Sequence, residues 1–460
     1  MSTLSAIDVR SPFSGELVGE APVSGPAQVR DALDAAAAYR SELSRHDRSQ
    51  LLFAVAARLA ELAPELAELI SSESGLCLKD TRHEVGRAVD VFRFAAIEAL
   101  HDDGESFPGD VSPQGSARRA HTIRVPVRLV AAITPFNHPL NQVAHKLAPA
   151  IAAGAPIVLK PSERTPLTAL RLAEVFAECG VPPAAARVIC GSPAELVEEF
   201  LTHEAVEVIS FTGGVAVGKS IAARLGYRRA VLELGGNDPL LVLADADLEE
   251  AAGLAVRGAF QNSGQRCTAV KRIIAVDAIA DELAERIVAL TRGLRCGDPL
   301  DPDTDVGTVI DSDAARLIEA RIGAAAEAGA ELLWGGERDG ALLAPAVLDR
   351  VPPTAELVAL ETFGPVAPII RVRDLEEAIA VANATLYGLS SAVCTFDWRA
   401  IARCVRELRA GTVNVREVPG WRTELTPFGG IGDSGLGIKE GVREAIRAMS
   451  NVKLYTLPWG

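Results

Sequence analysis

The sequence predicts an α/β protein made of two open, parallel-sheet units and an extended arm. Three observations carry this expectation. From Val130 to Leu243 short apolar segments alternate with helical ones, and a second such series runs from Asp247 to about Thr412. Arg118–Ala132, rich in Val, Ile and Arg, reads as an extended stretch outside both. Apolar strands alternating with helices indicate a parallel sheet covered on both faces.

Taken in order, the first 105 residues are mostly helical in pattern. Leu51–Ile70 and His83–Leu100 each place apolar residues at i, i+3 and i+4. Gly104–Gly115, with two prolines and two serines, reads as a loop. In the first series VAAIT precedes an apolar helix, PIVLK a helix from Pro166, and ARVICG another. VEVISFTGG leads into VAVGKSIAARL, and AVLELGG into NDPLLVL. The C-terminal stretch returns to a helix and a short strand, NVKLYTL.

Composition narrows the function classes. Lys plus Arg number 46 against 61 Asp plus Glu, a formal net charge of −15, which argues against broad binding to nucleic acid or an anionic membrane. The most apolar stretch, Leu147–Leu159, is broken by Pro149, Gly154 and Pro156 and falls short of the roughly 20 residues of a membrane span. MSTLSAIDVR has neither a basic head nor an apolar run, so no secretory signal is expected and the expected location is cytoplasmic. Seven cysteines without a CxxC pair imply free thiols in a reducing compartment and no metal site.

Several short motifs fall where strands end. In Gly264-Gln265-Arg266-Cys267-Thr268 a thiol lies among small and polar residues beside an arginine. That setting would leave it partly exposed with a lowered pKa, although single cysteines are more often buried packing residues. Glu233, in LELGGN, ends an apolar strand before two glycines. Poor hydration there would raise its pKa toward that of a general base, unless an arginine pairs with it. In Thr134-Pro135-Phe136-Asn137-His138-Pro139 the Asn137 amide is a candidate oxyanion donor, though asparagine is common in turns for backbone reasons alone. Lys160-Pro161-Ser162-Glu163 ends the next strand, where open sheets bind ligands; Lys160 can donate to sugar or phosphate oxygens and Glu163 can accept from ribose hydroxyls. Phe211-Thr212-Gly213-Gly214 with Gly218 opens a helix as a pyrophosphate turn does, without being GxGxxG. Glu361-Thr362-Phe363-Gly364-Pro365 adds a carboxylate and a ring near a turn.

Together TPFN, KPSE, FTGG, LELGGN, GQRC, ETFGP and PFGG (Pro427–Gly430) occur in the order and approximate spacing of the NAD(P)-dependent aldehyde dehydrogenase superfamily, which the chain resembles over essentially its whole length. The resemblance implies two Rossmann-like open-sheet domains and a β-hairpin oligomerisation arm. Residues 1–115 and 131–235 would form the NAD-binding domain, 236–428 the catalytic domain, 116–130 and 443–460 the arm, and 429–442 a return segment. It implies that Cys267 attacks the aldehyde to give a thiohemiacetal and then a thioester. Asn137 and the Cys267 backbone N–H would hold the oxyanion, and Glu233 would activate the hydrolytic water. Lys160 and Glu163 would meet the adenosine ribose, with Ser162 beside them. Gly213 and Gly218 would form the pyrophosphate turn, flanked by Phe211, Thr212 and Gly214. Glu361 and Phe363 would meet the nicotinamide side, with Thr134, Pro135, Phe136 and Leu234. NAD is expected over NADP because Glu163 would repel a 2′-phosphate. A homodimer or homotetramer is expected, and no metal.

The substrate end departs from the general family pattern. His138 stands where an aromatic residue is usual, and Arg266 and Thr268 flank the thiol. Arg87, in HEVGR, and Arg422, in PGWR, fall on segments that face the substrate tunnel in the family. Three arginines and a histidine converging on one tunnel would clamp an oxyanion. With FNHPLNQVAHK, WRTELTPFGGIGDSGLGIKEG and the terminal LPW, the pattern is similar to the phosphonoacetaldehyde dehydrogenase branch. That implies oxidation of phosphonoacetaldehyde to phosphonoacetate. Lactaldehyde or glycolaldehyde oxidation, and semialdehydes bearing a carboxylate or sulfonate, are the alternatives within the superfamily. A non-catalytic binding or structural member of the fold is the alternative from another class, against which the intact Cys267, Glu233 and Asn137 stand. The expected partner is a small anionic aldehyde, with no nucleic acid and no membrane.

Overall fold

The computed structural model describes residues 6–437 and 440–459. The expected domain ends at 1–5 and 460, and residues 438–439 of the expected return segment, lie outside the described residues. The chain opens with an antiparallel pair, β1 (Ala6–Arg10) and β2 (Leu17–Pro22), followed by four helices. These are α1 (Pro26–Ala38), α2 (Arg45–Glu61), α3 (Ala63–Ser74) and α4 (Leu78–Glu98). The single amphipathic run expected over Leu51–Ile70 is therefore two helices. They part at Leu62 because Pro64 occupies the first turn of α3, where a missing N–H costs nothing.

Next come β3 (Ser106–Pro108), inside the segment expected to be loop, and β4 (Arg118–Pro126). The predicted alternation follows as β5 (Val130–Ile133), α5 (Asn141–Ala153), β6 (Ile157–Lys160), α6 (Leu167–Glu178), β7 (Ala186–Val188), α7 (Pro193–Thr202), β8 (Val208–Thr212), α8 (Val215–Ala222) and β9 (Arg229–Glu233). The five strands form a parallel sheet in the order β7-β6-β5-β8-β9. Ile133 lies opposite Lys160 and Phe211, and Thr212 opposite Glu233, so these strands end along one edge. Loops that leave the carboxyl edge of a parallel sheet are where such folds bind ligands.

The second series holds β10 (Asp238–Val242), α9 (Leu248–Phe260) and β11 (Val270–Val276). After them come β12 (Glu331–Trp334), the small pair β13 (Arg338–Asp339) and β14 (Leu342–Leu343), β15 (Ala346–Asp349), β16 (Val366–Val372), β17 (Ser390–Cys394) and β18 (Thr412–Val415). Seven of these strands form a sheet in the order β12-β15-β16-β11-β10-β17-β18, parallel except for the edge strand β12. Every residue of β10, β11 and β17 is buried, as expected of strands covered on both faces.

The chain ends in β19 (Ser450–Pro458). The extended arm is not a local hairpin. β4 pairs antiparallel with β19 from Arg118↔Pro458 to Pro126↔Ser450, and β3 adds on its other side. Strands from opposite ends of the chain thus close one three-stranded arm sheet. Among the described residues no helix is long and apolar enough to cross a membrane.

Candidate active site

The thiol of Cys267 is placed by an unusual turn. After α9 the chain passes through a short 3-10 turn, Gln261–Gly264, in which Asn262 (φ 60°) and Ser263 (φ 51°) take the left-handed backbone. Such conformations cost of order 1–3 kcal/mol each and persist only where neighbours fix them. Here the Asn262 N–H donates to Asp80 Oδ2 of α4 at 2.7 Å, and its side-chain amide donates to the Asn137 carbonyl at 3.1 Å. Gly264 follows at φ 70°, and a Cβ there would collide with the Gly364 carbonyl. The turn therefore tethers the thiol loop both to α4 and to the Asn137 loop.

Asn137 sits between β5 and α5. Its side-chain amide donates to the Gln265 carbonyl at 2.8 Å. Behind it Glu84 of α4 accepts from the backbone N–H groups of Leu140 (2.8 Å) and Asn141 (3.0 Å), satisfying donors at the start of α5. Every residue of α5 from Asn141 to Ala152 is buried, including Gln142, His145 and Lys146. A buried helix that carries polar side chains needs partners for them, and these lie around the site.

Glu233 ends β9 at 3% exposure, and neither carboxylate oxygen has a hydrogen-bond partner among the described residues. Burial, reinforced by the nearby Glu440 carboxylate, raises its pKa well above the ordinary range, while Lys146 and Arg422 oppose the shift. Lys146 itself pairs with Glu440 Oε1 at 2.9 Å and donates to Ser210 Oγ at 3.0 Å. Burial disfavours the Glu440 anion, but Lys146, His145 and Arg422 together outweigh it and hold Glu440 below the usual range. No arginine forms an ion pair with Glu233 among the described residues, which sets aside the pairing alternative.

The expected lowering of the Cys267 pKa is not seen. Burial pushes the thiol up to about 12, with Lys271 and then Arg422 pulling the other way. Arg266, the adjacent cation, turns from the thiol and donates to the Gly258 carbonyl (2.8 Å) and Gln261 Oε1 (3.2 Å). Lys271 supplies the closer positive charge. It donates to the carbonyls of Arg266 (2.5 Å) and Cys267 (3.1 Å) and to Glu361 Oε1 (3.3 Å).

Two cavities flank this point. One, of about 190 Å³, is lined by Asn137, Cys267 and Glu233 together with Pro135, Phe136, Gly213, Gly214, Leu234, Glu361 and Phe363. Thr212 also lines it, and Thr134 lies at the end of the adjacent strand; both hydroxyls are buried without partners among the described residues. Phe136 and Phe363 meet edge-on at 6.0 Å. Gly218 packs α8 against Leu234, whose side chain a Cβ would strike, and the Phe211 ring lies under Gly213. Lys160, Ser162 and Glu163 stand one strand further along the same sheet edge, beyond the walls of this cavity. There Lys160 Nζ pairs with Glu163 at 3.0 Å, and Ser162 Oγ accepts from the Arg164 N–H.

The other cavity, of about 440 Å³, is lined by Arg87, His138, Arg266 and Arg422. Consecutive residues thus face opposite sides: Asn137 and Cys267 line the first cavity, His138 and Arg266 the second. The expected clamp of three arginines is only partly realised. Arg87 is pinned to Glu424 at 2.5 Å, and His138 lies 3.4 Å from Glu84. Arg422, stacked over Phe428 with 3.6 Å to the ring centroid, has no ion-pair partner among the described residues. Thr268 is buried with its hydroxyl against Gly420 rather than on either wall.

Lys271, Lys146, Glu440, His145 and Glu424 received no expected role from the sequence, yet they set the electrostatics here. The signal available was FNHPLNQVAHK, in which an apolar helix carries His145 and Lys146 side by side. Nothing in the sequence pairs them with Glu424 and Glu440.

Comparison with known proteins supplies the frame. The family model described as the aldehyde dehydrogenase family matches residues 1–455. The chain is 36% identical over 457 residues to the 3-sulfolactaldehyde dehydrogenase of Priestia aryabhattai, covering 99% of this chain and 96% of that one. Aldehyde dehydrogenase 21 of Physcomitrella patens, solved with the reaction product succinate, superposes with a TM-score of 0.96 at 33% identity, covering 100% of this chain and 96% of that one. The glyceraldehyde-3-phosphate dehydrogenase GapN of Methanocaldococcus jannaschii DSM 2661, complexed with NADP, gives a TM-score of 0.95 at 36% identity and full coverage of both chains.

Proposed function

This chain belongs to the aldehyde dehydrogenase family, and we propose that it oxidises a short-chain aldehyde with a distal oxyanion to the free acid, phosphonoacetaldehyde to phosphonoacetate being the substrate pair we assign. NAD(P)-dependent aldehyde oxidation is the chemistry of the family. The observation that carries the anionic substrate is Arg422, a partly buried guanidinium with a buried, unpartnered Nε and no ion pair among the described residues, lining the same cavity as Arg266 beside the thiol loop. A buried cation without a counter-ion is costly, and an incoming oxyanion offsets that cost.

Cys267 is the nucleophile, and Lys271 and Arg422 stabilise its thiolate against the burial that raises its pKa. Asn137 and the Cys267 backbone N–H receive the oxyanion of the thiohemiacetal. Glu233, with a raised pKa and free oxygens, takes a proton from water so that it cleaves the thioester. The residues present fit a nicotinamide dinucleotide: the unpartnered Thr134 and Thr212 hydroxyls, the glycine-lined start of α8 and the Phe136–Phe363 pair all face or flank one cavity. When bound, that cofactor accepts the hydride. Gly213, Gly214, Gly218, Phe211 and Thr212 would hold its pyrophosphate side; Lys160, Ser162 and Glu163 its adenosine ribose; and Glu361, Phe363, Thr134, Pro135, Phe136 and Leu234 its nicotinamide side.

We assign NAD as the preferred form on the ionised Glu163, an exposed carboxylate that, against partial desolvation, Lys160 at 3.0 Å helps to hold below the usual range. The domain division of 1–115 with 131–235, and 236–428, is proposed on the two sheets. Assembly as a homodimer or homotetramer through the arm rests on the exposed Val452, Leu454, Tyr455 and Leu457 of β19. The free cysteines support a reducing, cytoplasmic setting. A second reading, oxidation of a sulfonated aldehyde, is favoured by the similarity to a protein named for 3-sulfolactaldehyde.

The test compares kcat/KM for phosphonoacetaldehyde, sulfoacetaldehyde, succinate semialdehyde, lactaldehyde and propanal. The anions are expected to lead propanal by at least about 100-fold, the scale of one good charge-assisted contact in a dry site. Parity with propanal overturns the anionic reading, and a lead for the sulfonate at about pH 6, where the phosphonate is still largely singly charged, replaces the phosphonate. Cys267→Ser is expected to lower turnover by about 10³-fold or more.

A further inference from the structure

We propose that Glu424 sets the charge of the anion that the tunnel accepts, so that a distal group carrying one negative charge is preferred to one carrying two. This rests on the anionic-aldehyde reading above and says which ionic form of such a substrate is taken.

The cavity that holds Arg422 is not positive overall. Four arginines line it, but so do five carboxylates, Asp80, Glu84, Asp90, Glu417 and Glu424 among them. Most of the cations are already committed. Arg257 pairs with Glu417, and Arg87 Nε donates to Glu424 Oε1 at 2.5 Å. On its other oxygen Glu424 meets His145 Nε2, also at 2.5 Å. At 4% exposure Glu424 is therefore held on both oxygens in a dry place.

Separating such a pair leaves an uncompensated buried charge, which is far more costly than leaving it intact. Arg87 thus meets a substrate as one half of a fixed dipole. Arg266 is partly spent on the Gly258 carbonyl and the Gln261 side chain. That leaves Arg422 as the guanidinium free to neutralise an oxyanion, with Arg266 Nε as an additional unpartnered donor. One negative charge balances Arg422. A second would face the Glu424 carboxylate across a poorly screened gap.

The groups around Glu424 come from several elements. α4 contributes Arg87 and His83, α5 contributes His145, and Glu424's own loop contributes Arg422. Glu440 faces the same His145 and Arg422, and its charge is balanced by Lys146 of α5 at 2.9 Å. His83 sits in this group with its pKa lowered, first by burial and then by Arg87, so it adds no cation near neutrality.

A phosphonate provides the probe, because a phosphoryl dianion gains its second charge near neutrality (second pKa of about 6 for a phosphoester), whereas a sulfonate stays a monoanion. The quantity to measure is kcat/KM for phosphonoacetaldehyde divided by that for sulfoacetaldehyde, across roughly pH 6 to 9. Ionisations of the enzyme cancel in the ratio. In the unsubstituted protein the ratio is expected to fall by up to about tenfold per pH unit above the phosphonate's second pKa. In Glu424→Gln, which keeps an acceptor for Arg87 but removes the charge, the fall is expected to flatten or reverse. A ratio that is flat or rises with pH in the unsubstituted protein overturns the proposal without any variant being needed. A fall that Glu424→Gln leaves unchanged overturns the assignment to Glu424. If neither anion outruns propanal, the substrate reading itself fails, a result distinct from anion preference with a flat ratio.

Discussion

The side-chain amide of Asn137 donates to the backbone carbonyl of Gln265 at 2.8 Å, two residues ahead of the thiol of Cys267. This bond aims the amide at the nucleophile loop before any oxyanion exists, and the Asn262 amide holds the Asn137 carbonyl from behind at 3.1 Å. Preorganised donors matter most where charge develops in the transition state. Asn137→Ala is therefore expected to lower kcat by about 10²–10³-fold with a smaller effect on KM. Single-turnover measurement of hydride transfer locates the loss; a defect confined to KM would count against the role.

Glu233 makes a pH prediction with a definite sign. Burial first, and Glu440 next, raise its pKa, and a base works only when deprotonated. Hydrolysis of the thioester is thus complete above that raised value and is lost as pH falls through it. Glu440→Gln removes a repelling charge, so the acid limb of kcat is expected to move to lower pH, whereas Lys146→Met is expected to move it higher. Superimposable acid limbs in all three proteins would show that the coupling has no catalytic consequence. Glu233→Gln itself is expected to cost about 10²–10⁴-fold in kcat, the usual range for a general base.

The proposed preference for NAD turns on Glu163. Its carboxylate is ionised and near the end of β6, where a 2′-phosphate would meet a like charge. Glu163→Ser is expected to raise the NADP-to-NAD ratio of kcat/KM by about tenfold, the effect of removing one screened like-charge contact. An unchanged ratio would move the discrimination elsewhere.

Much of this was legible in the sequence, for identifiable reasons. Strand–helix alternation reports parallel sheets because both faces are covered, and β5, β6, β8 and β9 appear where VAAIT, PIVLK, VEVISFTGG and AVLELGG place them. Asn137 and Glu233 follow or end strands at the carboxyl edge of the first sheet, and Cys267 joins them from the loop that precedes β11 of the second. What stayed hidden depends on long-range pairing. The sequence shows Arg87 and Arg422 as cations, but not that Glu424 occupies one and leaves the other free. It shows GQRC as a partly exposed thiol, as found, but the expected activation by the adjacent cation fails because Arg266 points away and Lys271 stands in its place. The resemblance placed 116–130 and 443–460 in one arm, and what the three-dimensional structure adds is their antiparallel register and the third strand, β3.

The packing of α4 gives a stability prediction. Phe92 is fully buried and meets Phe176 of α6 edge-on at 5.9 Å. Phe92→Ala is expected to cost about 3–5 kcal/mol, read as a lowered denaturation midpoint. Because α4 also carries Asp80, Glu84 and Arg87, the same variant is expected to lose activity at temperatures where it is still mostly folded. A midpoint within error of the unsubstituted protein would mean that the site collapses around the missing ring.

The union of β4 with β19 has a consequence for synthesis. During translation β4 emerges long before its mate β19, and one of its long edges stays bare in the interval. Both parallel sheets can be complete while that edge still offers unpaired N–H and C=O groups to any neighbouring strand, a standing invitation to misassociation. Docking of β19 is then the event that seals the arm, and a chain interrupted before Ser450 leaves that edge of β4 open.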